Sequence, residues 1–462
     1  VIFRGVVLLA LALGVSVPAR AQGAPPNPYR PNTADEDWTF LKNAPKTDFF
    51  DPIKYIELGP EGWSLSLGGE IRYRPESFRV FETPNRPSSR DGYLLQRYLA
   101  SVELRMGKRL RFFSELQSGI VNGKLQTPRP TDQDPLDFHQ AFVEWRQPVR
   151  EKDQLIVTVG RQEIELGSSR LISASPGLNV KRAFDGFLGT YRIDVWNISA
   201  AAAELTALRP GIFDDGRQNG QKFWGVAATK NERRIVRSQI GLYYLGVDYQ
   251  DSAYVQGRGH EVRHTLGAKW NGANDRLDLN YDVLFQWGDF VGAPIRAWAF
   301  ATETGYRVPA APWGLRVSGR TDLASGDKNP ASPSLESFNP LFPGNAYSGA
   351  IGLLGPTNLT DLTPAVTIRP RRDLMVSFEA PSYWRTSTAD GVYATDLRVL
   401  APPAAGTGKY VGTNPGFLFV WQATRHLQFQ GVATHFISGG FLENTFVSNG
   451  FNFVSFTARY RF

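Results

Sequence analysis

The stretch Phe451-Asn452-Phe453-Val454-Ser455-Phe456-Thr457-Ala458-Arg459-Tyr460-Arg461-Phe462 divides cleanly by parity. Val454, Phe456, Ala458, Tyr460 and Phe462 fall on one side of an extended chain, and Ser455, Thr457, Arg459 and Arg461 on the other. One face is greasy and ends in aromatics; the other is cationic and hydroxylated. In a soluble sandwich such a strand is a half-buried edge. In a transmembrane barrel it is the closing strand, with lipid outside and water inside.

Working back from that strand, the same alternation recurs along the chain. Leu65, Leu67, Gly69, Ile71 and Tyr73 oppose Ser64, Ser66, Gly68, Glu70, Arg72 and Arg74. Leu94, Tyr98, Ala100, Val102 and Leu104 oppose Arg97, Ser101, Glu103 and Arg105, and a turn at Gly107-Lys108 leads into Leu110, Phe112 and Leu116 opposite Arg111, Glu115 and Gln117. The rule places further strands near 138–146, 154–162, 183–190, 193–204, 221–229, 235–246, 262–270, 276–288, 295–307, 313–324, 358–369, 373–385, 416–424 and 427–437. That makes about 18 strands, the size at which a closed antiparallel barrel encloses an aqueous channel. Connections near 75–92, 120–136, 163–182, 205–220, 247–261, 325–357, 386–415 and 438–450 fall on one side of the membrane. The short turns Gly107-Lys108, Asn271-Gly272-Ala273-Asn274, Pro370-Arg371-Arg372 and Arg425-His426 fall on the other. Short periplasmic turns and long external loops are the outer-membrane pattern, broken here only by a short external turn near 289–294. Tyr460 and Phe462 on this alternation are similar to the C-terminal signal read by the barrel assembly machinery.

Residues 1–21 read as a signal peptide: Arg4, an apolar run from Gly5 to Val17, and Ala19-Arg20-Ala21. The run is shorter than the roughly 20 residues a membrane helix needs. Residues 22–62, with Pro25, Pro26, Pro28 and Pro31 and then Asp35-Glu36-Asp37, read as a periplasmic lead-in ordered against the mouth of a barrel spanning 63–462. The mean hydropathy is −0.28 although 13% of residues are aromatic. Alternating strands hide their apolar faces from any such average. With no cysteine, thiol chemistry, disulfides and Cys-ligated zinc are excluded.

The net charge is +7, carried by 39 arginines and only 12 lysines among the basic residues. Sorted by face, the inward side collects Arg72, Arg74, Arg97, Arg105, Arg111, Arg263, Lys269, Arg316, Arg320, Arg385, Arg459 and Arg461, against Glu70, Glu103, Glu115, Asp278, Asp282, Asp322 and Glu379. Closure puts Arg459 and Arg461 on the same wall as Arg72, Arg74, Arg97, Arg105 and Arg111. Guanidinium stays charged and presents a planar fork matched to carboxylate, so such a wall concentrates anions. The competing reading is that the arginines pair with wall acids and only brace the barrel.

Several stretches resemble the alginate export family. They include Asp35-Glu36-Asp37-Trp38, Phe50-Asp51-Pro52-Ile53-Lys54-Tyr55-Ile56, Leu67-Gly68-Gly69-Glu70-Ile71-Arg72-Tyr73-Arg74, Gly160-Arg161-Gln162, Ser169-Arg170-Leu171, Asn179-Val180-Lys181-Arg182-Ala183-Phe184-Asp185-Gly186, Phe338-Asn339-Pro340-Leu341-Phe342-Pro343 and Tyr383-Trp384-Arg385-Thr386-Ser387-Thr388. The resemblance implies an 18-stranded barrel in the bacterial outer membrane with an arginine-lined constriction for a polyuronate. It carries that role onto Arg72, Arg74, Arg161, Arg170, Arg182 and Arg385, and adds Asp185 to the pore acids. Tyr383, on the lumen parity beside Arg385, is the candidate sugar contact. The last external connection, about 438–450, is short for a loop that plugs the pore.

No enzyme is expected: there is no Gly-x-Ser-x-Gly, and none of His139, His260, His264, His426 and His435 lies near a convincing serine and carboxylate. No cofactor or metal is expected either, since Asp322 with Asp327 lacks a spaced oxygen-ligand loop. Trp224, Trp270, Trp287, Trp298, Trp313 and Trp421 read as an interfacial girdle against outer-membrane lipids. The expected solutes are an anionic polysaccharide or small anions, with no nucleic-acid partner. A porin for uptake of small anions is the alternative to polymer export.

Overall fold

The computed structural model describes residues 27–80, 89–150, 153–232, 237–344, 352–442 and 450–462. The expected signal peptide, 1–21, and residues 345–351 lie outside them. Antiparallel strands close into a barrel of 18 staves. They are β1 (Trp63–Val80), β2 (Ser89–Met106), β3 (Leu110–Asn122), β4 (Asp134–Pro148), β5 (Gln154–Gln162), β6 (Phe184–Ile193), β7 (Trp196–Ala207), β8 (Gly216–Glu232) and β9 (Arg237–Tyr254). There follow β10 (Gly257–Ala273), β11 (Leu277–Phe290), β12 (Ala293–Arg307), β13 (Arg316–Ala324) and β14 (Leu359–Arg371). The stave β15 is broken into Leu374–Glu379 and Ser382–Arg385, and β16 into Tyr410–Thr413 and Gly416–Gln422; β17 (Leu427–Ser438) and β18 (Phe451–Arg461) complete the ring. No helix among the described residues is long and apolar enough to cross a membrane.

The ring closes where β18 pairs with β1, setting Arg461 opposite Glu70 and Arg459 opposite Arg72. Beyond β18, Phe462 exchanges two backbone hydrogen bonds with Gly69, at 2.8 and 3.0 Å. Gly69 has to be glycine because a Cβ there would run into the Leu99 carbonyl and the Phe462 ring. The outward face is the expected apolar one: Leu67, Phe112, Val159, Phe187, Val226, Leu242, Leu266, Phe285, Val317, Phe417 and Phe456 are all exposed on it. Trp270, Trp287, Trp298 and Trp313 are likewise exposed.

Two boundaries differ from expectation. The external connection expected at 247–261 is only the pair Val255-Gln256, because β9 and β10 stay paired to Tyr254↔Gly257 through a bulge between Tyr249 and Ser252. Polar and glycine residues there imitate a loop while the backbone ladder continues. β1 likewise runs past Pro75 to Val80. Its pairing with β18 lapses at Arg74 and Pro75 and resumes at Glu76, which is the side on which a proline without N–H is tolerated.

The lead-in segment folds onto the mouth of the barrel at which the short turns lie. Tyr29, Trp38, Leu41 and Tyr55 form a small core around Lys54, whose ammonium lies 4.8 Å from the Trp38 ring and donates to the Phe462 carbonyl at 2.7 Å. His426 bridges Asp48 (2.8 Å) and the Arg461 carbonyl (2.6 Å). Ala34 reaches inward, where its carbonyl accepts from Arg111 at 2.5 Å beside Phe113 and Phe142.

Gly69→Val is expected to prevent seam closure, since the clash falls on backbone and an aromatic ring and overpacking costs about 1–3 kcal/mol even where neighbours can yield. Loss of the compact, fast-migrating band on unheated denaturing gels checks this, and the milder Gly69→Ala should retain part of it.

Candidate functional site

The lumen face of the seam carries a row of three arginines, Arg97, Arg72 and Arg459, on adjacent staves β2, β1 and β18. Like charges directly opposite one another destabilise a ladder, so each needs acceptors. Glu70, next on the same face of β1, serves three guanidiniums: Arg97 at 2.5 Å, Arg461 at 3.1 Å and Arg459 at 3.4 Å. Towards the periplasm the charges balance better. Glu103 pairs with both Arg105 and Arg111, and Glu144 with Arg111 (3.4 Å) and Arg146 (2.5 Å).

The remaining donors of the row turn inward to the external connection 163–183, which folds down into the barrel. Arg72 donates to the Leu178 carbonyl (2.8 Å) and Asn179 Oδ1 (3.0 Å), Arg97 to the carbonyls of Leu178 (2.9 Å) and Pro176 (3.1 Å), and Arg74 to Gly177 (2.5 Å). Asn179 completes the anchor by sharing its amide hydrogens among the carbonyls of Asp132, Gln96 and Ile120 at 2.8–3.2 Å. Lys181 reaches Glu163 at 2.6 Å, and His139 meets the same carboxylate at 2.9 Å.

The connection then crosses to the opposite wall. Arg170 pairs with Asp322 on β13 (3.0 Å) and Asp282 on β11 (3.3 Å), and Lys269 on β10 donates to the Gly167 carbonyl at 2.6 Å. Ile164, Leu166, Leu171 and Ile172 pack with Phe184, Phe223, Tyr243, Leu245 and Leu284. A second connection, 325–344, stacks above it: Phe342 exchanges backbone bonds with Leu171 (2.8 Å) and Ser173 (3.0 Å), and Asn339 donates to Tyr254 and Glu261. Internal loops therefore narrow the lumen, against the expectation drawn from the short last connection. They come from the middle of the chain instead.

The expected pore-lining residues divide by exposure. Arg72, Arg97, Arg111, Arg170 and Arg385 are buried, as are Glu70, Glu103 and Glu115. Arg385 lies 3.7 Å over the Phe441 ring and donates to the carbonyls of Gly406, Gly408, Thr388 and Asp390, so it organises the external loops. Tyr383 is buried beside it in the same outer cluster. Arg182 packs over Phe342 and donates to the carbonyls of Ser173 and Pro343. Arg161 is held in a fork by Asp185 at 2.9 and 3.2 Å. Partial exposure remains at Arg74, Arg105, Arg161, Arg316, Arg320, Arg459 and Arg461, with side chains 12–20% accessible. Arg74, Arg459 and Arg461 form a strip on β1 and β18, with Gln428 bound to Arg459 at 3.2 Å.

Two cavities sit below the constriction. One of about 600 Å³ opens at the periplasmic end and is lined by Asn231, Ser238, Gln239, Asn271 and Asn280. A second of about 230 Å³ shares Gln239 and reaches Glu165, Gly167 and Ser169 of the internal loop, with Asn197, Ser199, Thr229 and Lys269 on the wall. Sequence reasoning missed Lys269 as a loop anchor and Asn179 as the pin of the constriction. The legible signal was the apolar content of a supposed external loop, Ile164 to Ile172.

The barrel is similar to solved outer-membrane porins. A BenF-like porin from Pseudomonas fluorescens Pf-5 superposes with a TM-score of 0.60 at 10% identity, covering 86% of this chain and 98% of that one. OpdK of Pseudomonas aeruginosa, solved with vanillate, gives 0.55 at 11% over 86% and 98%, and OccK11 of the same species gives 0.54 at 13% over 88% and 99%. At such identities the likeness is one of fold. No curated protein sequence matches. The sequence profile described as alginate export matches residues 63–454.

Asn179→Ala removes the amide that satisfies three buried carbonyls, at about 1–3 kcal/mol for each polar group left unpaired. Bilayer recordings of the variant should show larger and noisier single-channel currents as the loop loosens, with the barrel still folded.

Proposed function

Because the chain belongs to the alginate export family and has the fold of an outer-membrane channel, we propose that it passes carboxylate-bearing solutes across the bacterial outer membrane by electrostatic facilitation. The observation that carries this reading is the charge imbalance at the seam. Five guanidiniums, Arg72, Arg74, Arg97, Arg459 and Arg461, face two carboxylates, Glu70 and Glu76, which leaves three positive charges in excess. The low-dielectric wall and packed loops focus that excess into the remaining aqueous gap. Guanidinium hydrogen bonds replace part of a carboxylate's hydration, and the partial occupation of each fork by Glu70 or loop carbonyls keeps the solute's hold weak enough for release.

The opposite wall has the other sign: Asp282, Asp322, Asp361 and Glu379 outnumber Arg170, Lys269 and Arg320. A transverse field across the gap orients a solute with one charged end. The inward-folded loops favour solutes of oligosaccharide or aromatic-acid size, in line with the vanillate in the OpdK structure. Family membership favours the second reading, passage of a polyuronate chain, which needs the loop to move aside.

Purified protein in a planar bilayer under a salt gradient is expected to give an anion-selective reversal potential. Oligouronates should block the current from one side. Arg459→Ala with Arg461→Ala should lower both selectivity and block severalfold while leaving Arg97 to hold Glu70. A cation-selective pore would refute electrostatic facilitation; block by vanillate but not by oligouronates would assign the channel to small acids.

A further inference from the structure

Away from the arginine wall, the external rim holds a cluster of carboxylates of another kind. Asp134 opens β4, Asp137 lies three residues further along the bulged strand, and Asp215 ends the connection 208–215 before β8. One carboxylate oxygen of each lies within 4.8 Å of one from each of the others. Asp134 is 0% exposed and no N–H or hydroxyl donates to either of its oxygens; the Asp215 carboxyl lies within hydrogen-bonding reach of it. Asp137 is 3% exposed and accepts only the backbone N–H of Asp214, at 3.2 Å. Asp214 adds a fourth carboxylate, with Oδ2 on the Gly211 N–H and Oδ1 unpartnered.

Neighbouring cations do not neutralise the group. Arg161 is committed to Asp185 and gives Asp215 only a contact to its backbone carbonyl, at 3.3 Å; Arg209 likewise meets the Asp214 carbonyl, and its backbone N–H donates to Asp215 Oδ1 at 2.7 Å. Elsewhere among the described residues the contrast is plain. The second acid-rich cluster, Glu115, His139 and Glu163, contains the Lys181 ammonium. Buried carboxylates without a counter-charge are costly, and three converging on one point ask for a cation.

We propose that Asp134, Asp137 and Asp215 bind a calcium ion. The donors are all oxygen, which selects a hard cation, and the irregular strand-and-loop setting suits the flexible six- to eight-fold coordination of calcium better than the tight octahedron of magnesium; water supplies the remaining ligands. The ion ties the start of β4 to the 208–215 connection, where Phe213 already bonds the Leu136 carbonyl at 3.0 Å. It also fixes the segment that anchors the constriction, since Asp132 accepts from Asn179 and Thr131 from Val180. A rim clamp of this kind makes the internal loop's position depend on external calcium.

The test is isothermal titration of chelator-treated, detergent-solubilised full-length protein with calcium alone, followed by thermal unfolding with and without the ion. One saturable site per chain, at or below about 1 mM as for extracellular calcium sites, and a raised unfolding temperature are expected, with magnesium at least about tenfold weaker. Asp134→Asn with Asp215→Asn should abolish binding yet unfold no earlier than wild type in chelator, because it removes like-charge repulsion. Glu115→Gln should bind as wild type. Should the double variant fail to fold, Asp137→Asn carries the same comparison. Absence of saturable binding by wild type, or equal binding by the aspartate variants, overturns the proposal.

Discussion

Three arginines in a row across the closing seam constrain everything inside this barrel. Arg97, Arg72 and Arg459 face one another on adjacent staves, and the nearest carboxylate, Glu70, is already divided among Arg97, Arg459 and Arg461. Arg72 has no carboxylate share left and finds its acceptors on Leu178 and Asn179. Unpaired buried donors cost more than neutral hydrogen bonds gain, so the wall dictates that the 163–183 connection folds inward. Once that loop is inside, its apolar residues must be covered. Phe184, Phe223 and Tyr243 on the wall and Phe342 from the 325–344 connection do so. The arginines thus do two things: the buried ones hold the constriction, and the part-exposed ones keep their charge within reach of water.

The barrel was legible in the sequence because two-fold alternation survives wherever one face meets lipid and the other water. The strand expected at 154–162 is Gln154–Gln162, and the closing strand at 451–462 is Phe451–Arg461. The signal weakened where both faces are covered or both are wet. The outer ends of β9 and β10 read as a loop for that reason, since Gln250, Asp251, Gly257 and Gly259 break the apolar alternation while the ladder continues. Inward-folded loops carry no periodicity, so the pairing of Arg170 with Asp322, and of Asn179 with three strand carbonyls, could not be read from spacing. Parity told which arginines face inward. It could not tell that Arg385 would be covered by Phe441 while Arg459 stays within reach of water.

The N-terminal lead-in follows the same logic at the other end. Lys54, Trp38 and Tyr29 close over the Phe462 carbonyl, and Ala34 caps Arg111, so the last strand and the lower arginines are covered by the chain's own N-terminal part. The vestibule lined by Gln239, Asn271 and Asn280 sits on the opposite side, mostly against uncharged side chains with Glu232 among them.

Because the chain has no cysteine, the sign of the potential at the constriction can be read from a single introduced thiol. Gln430 faces the lumen on β17, on the strip beside Arg459. The measurement is the modification rate of Gln430→Cys by anionic and by cationic thiosulfonate reagents during conductance recording, each normalised to a free thiol. Faster reaction with the anionic reagent, accompanied by a fall in current, is the result predicted. Faster reaction with the cationic reagent would contradict an arginine-controlled path.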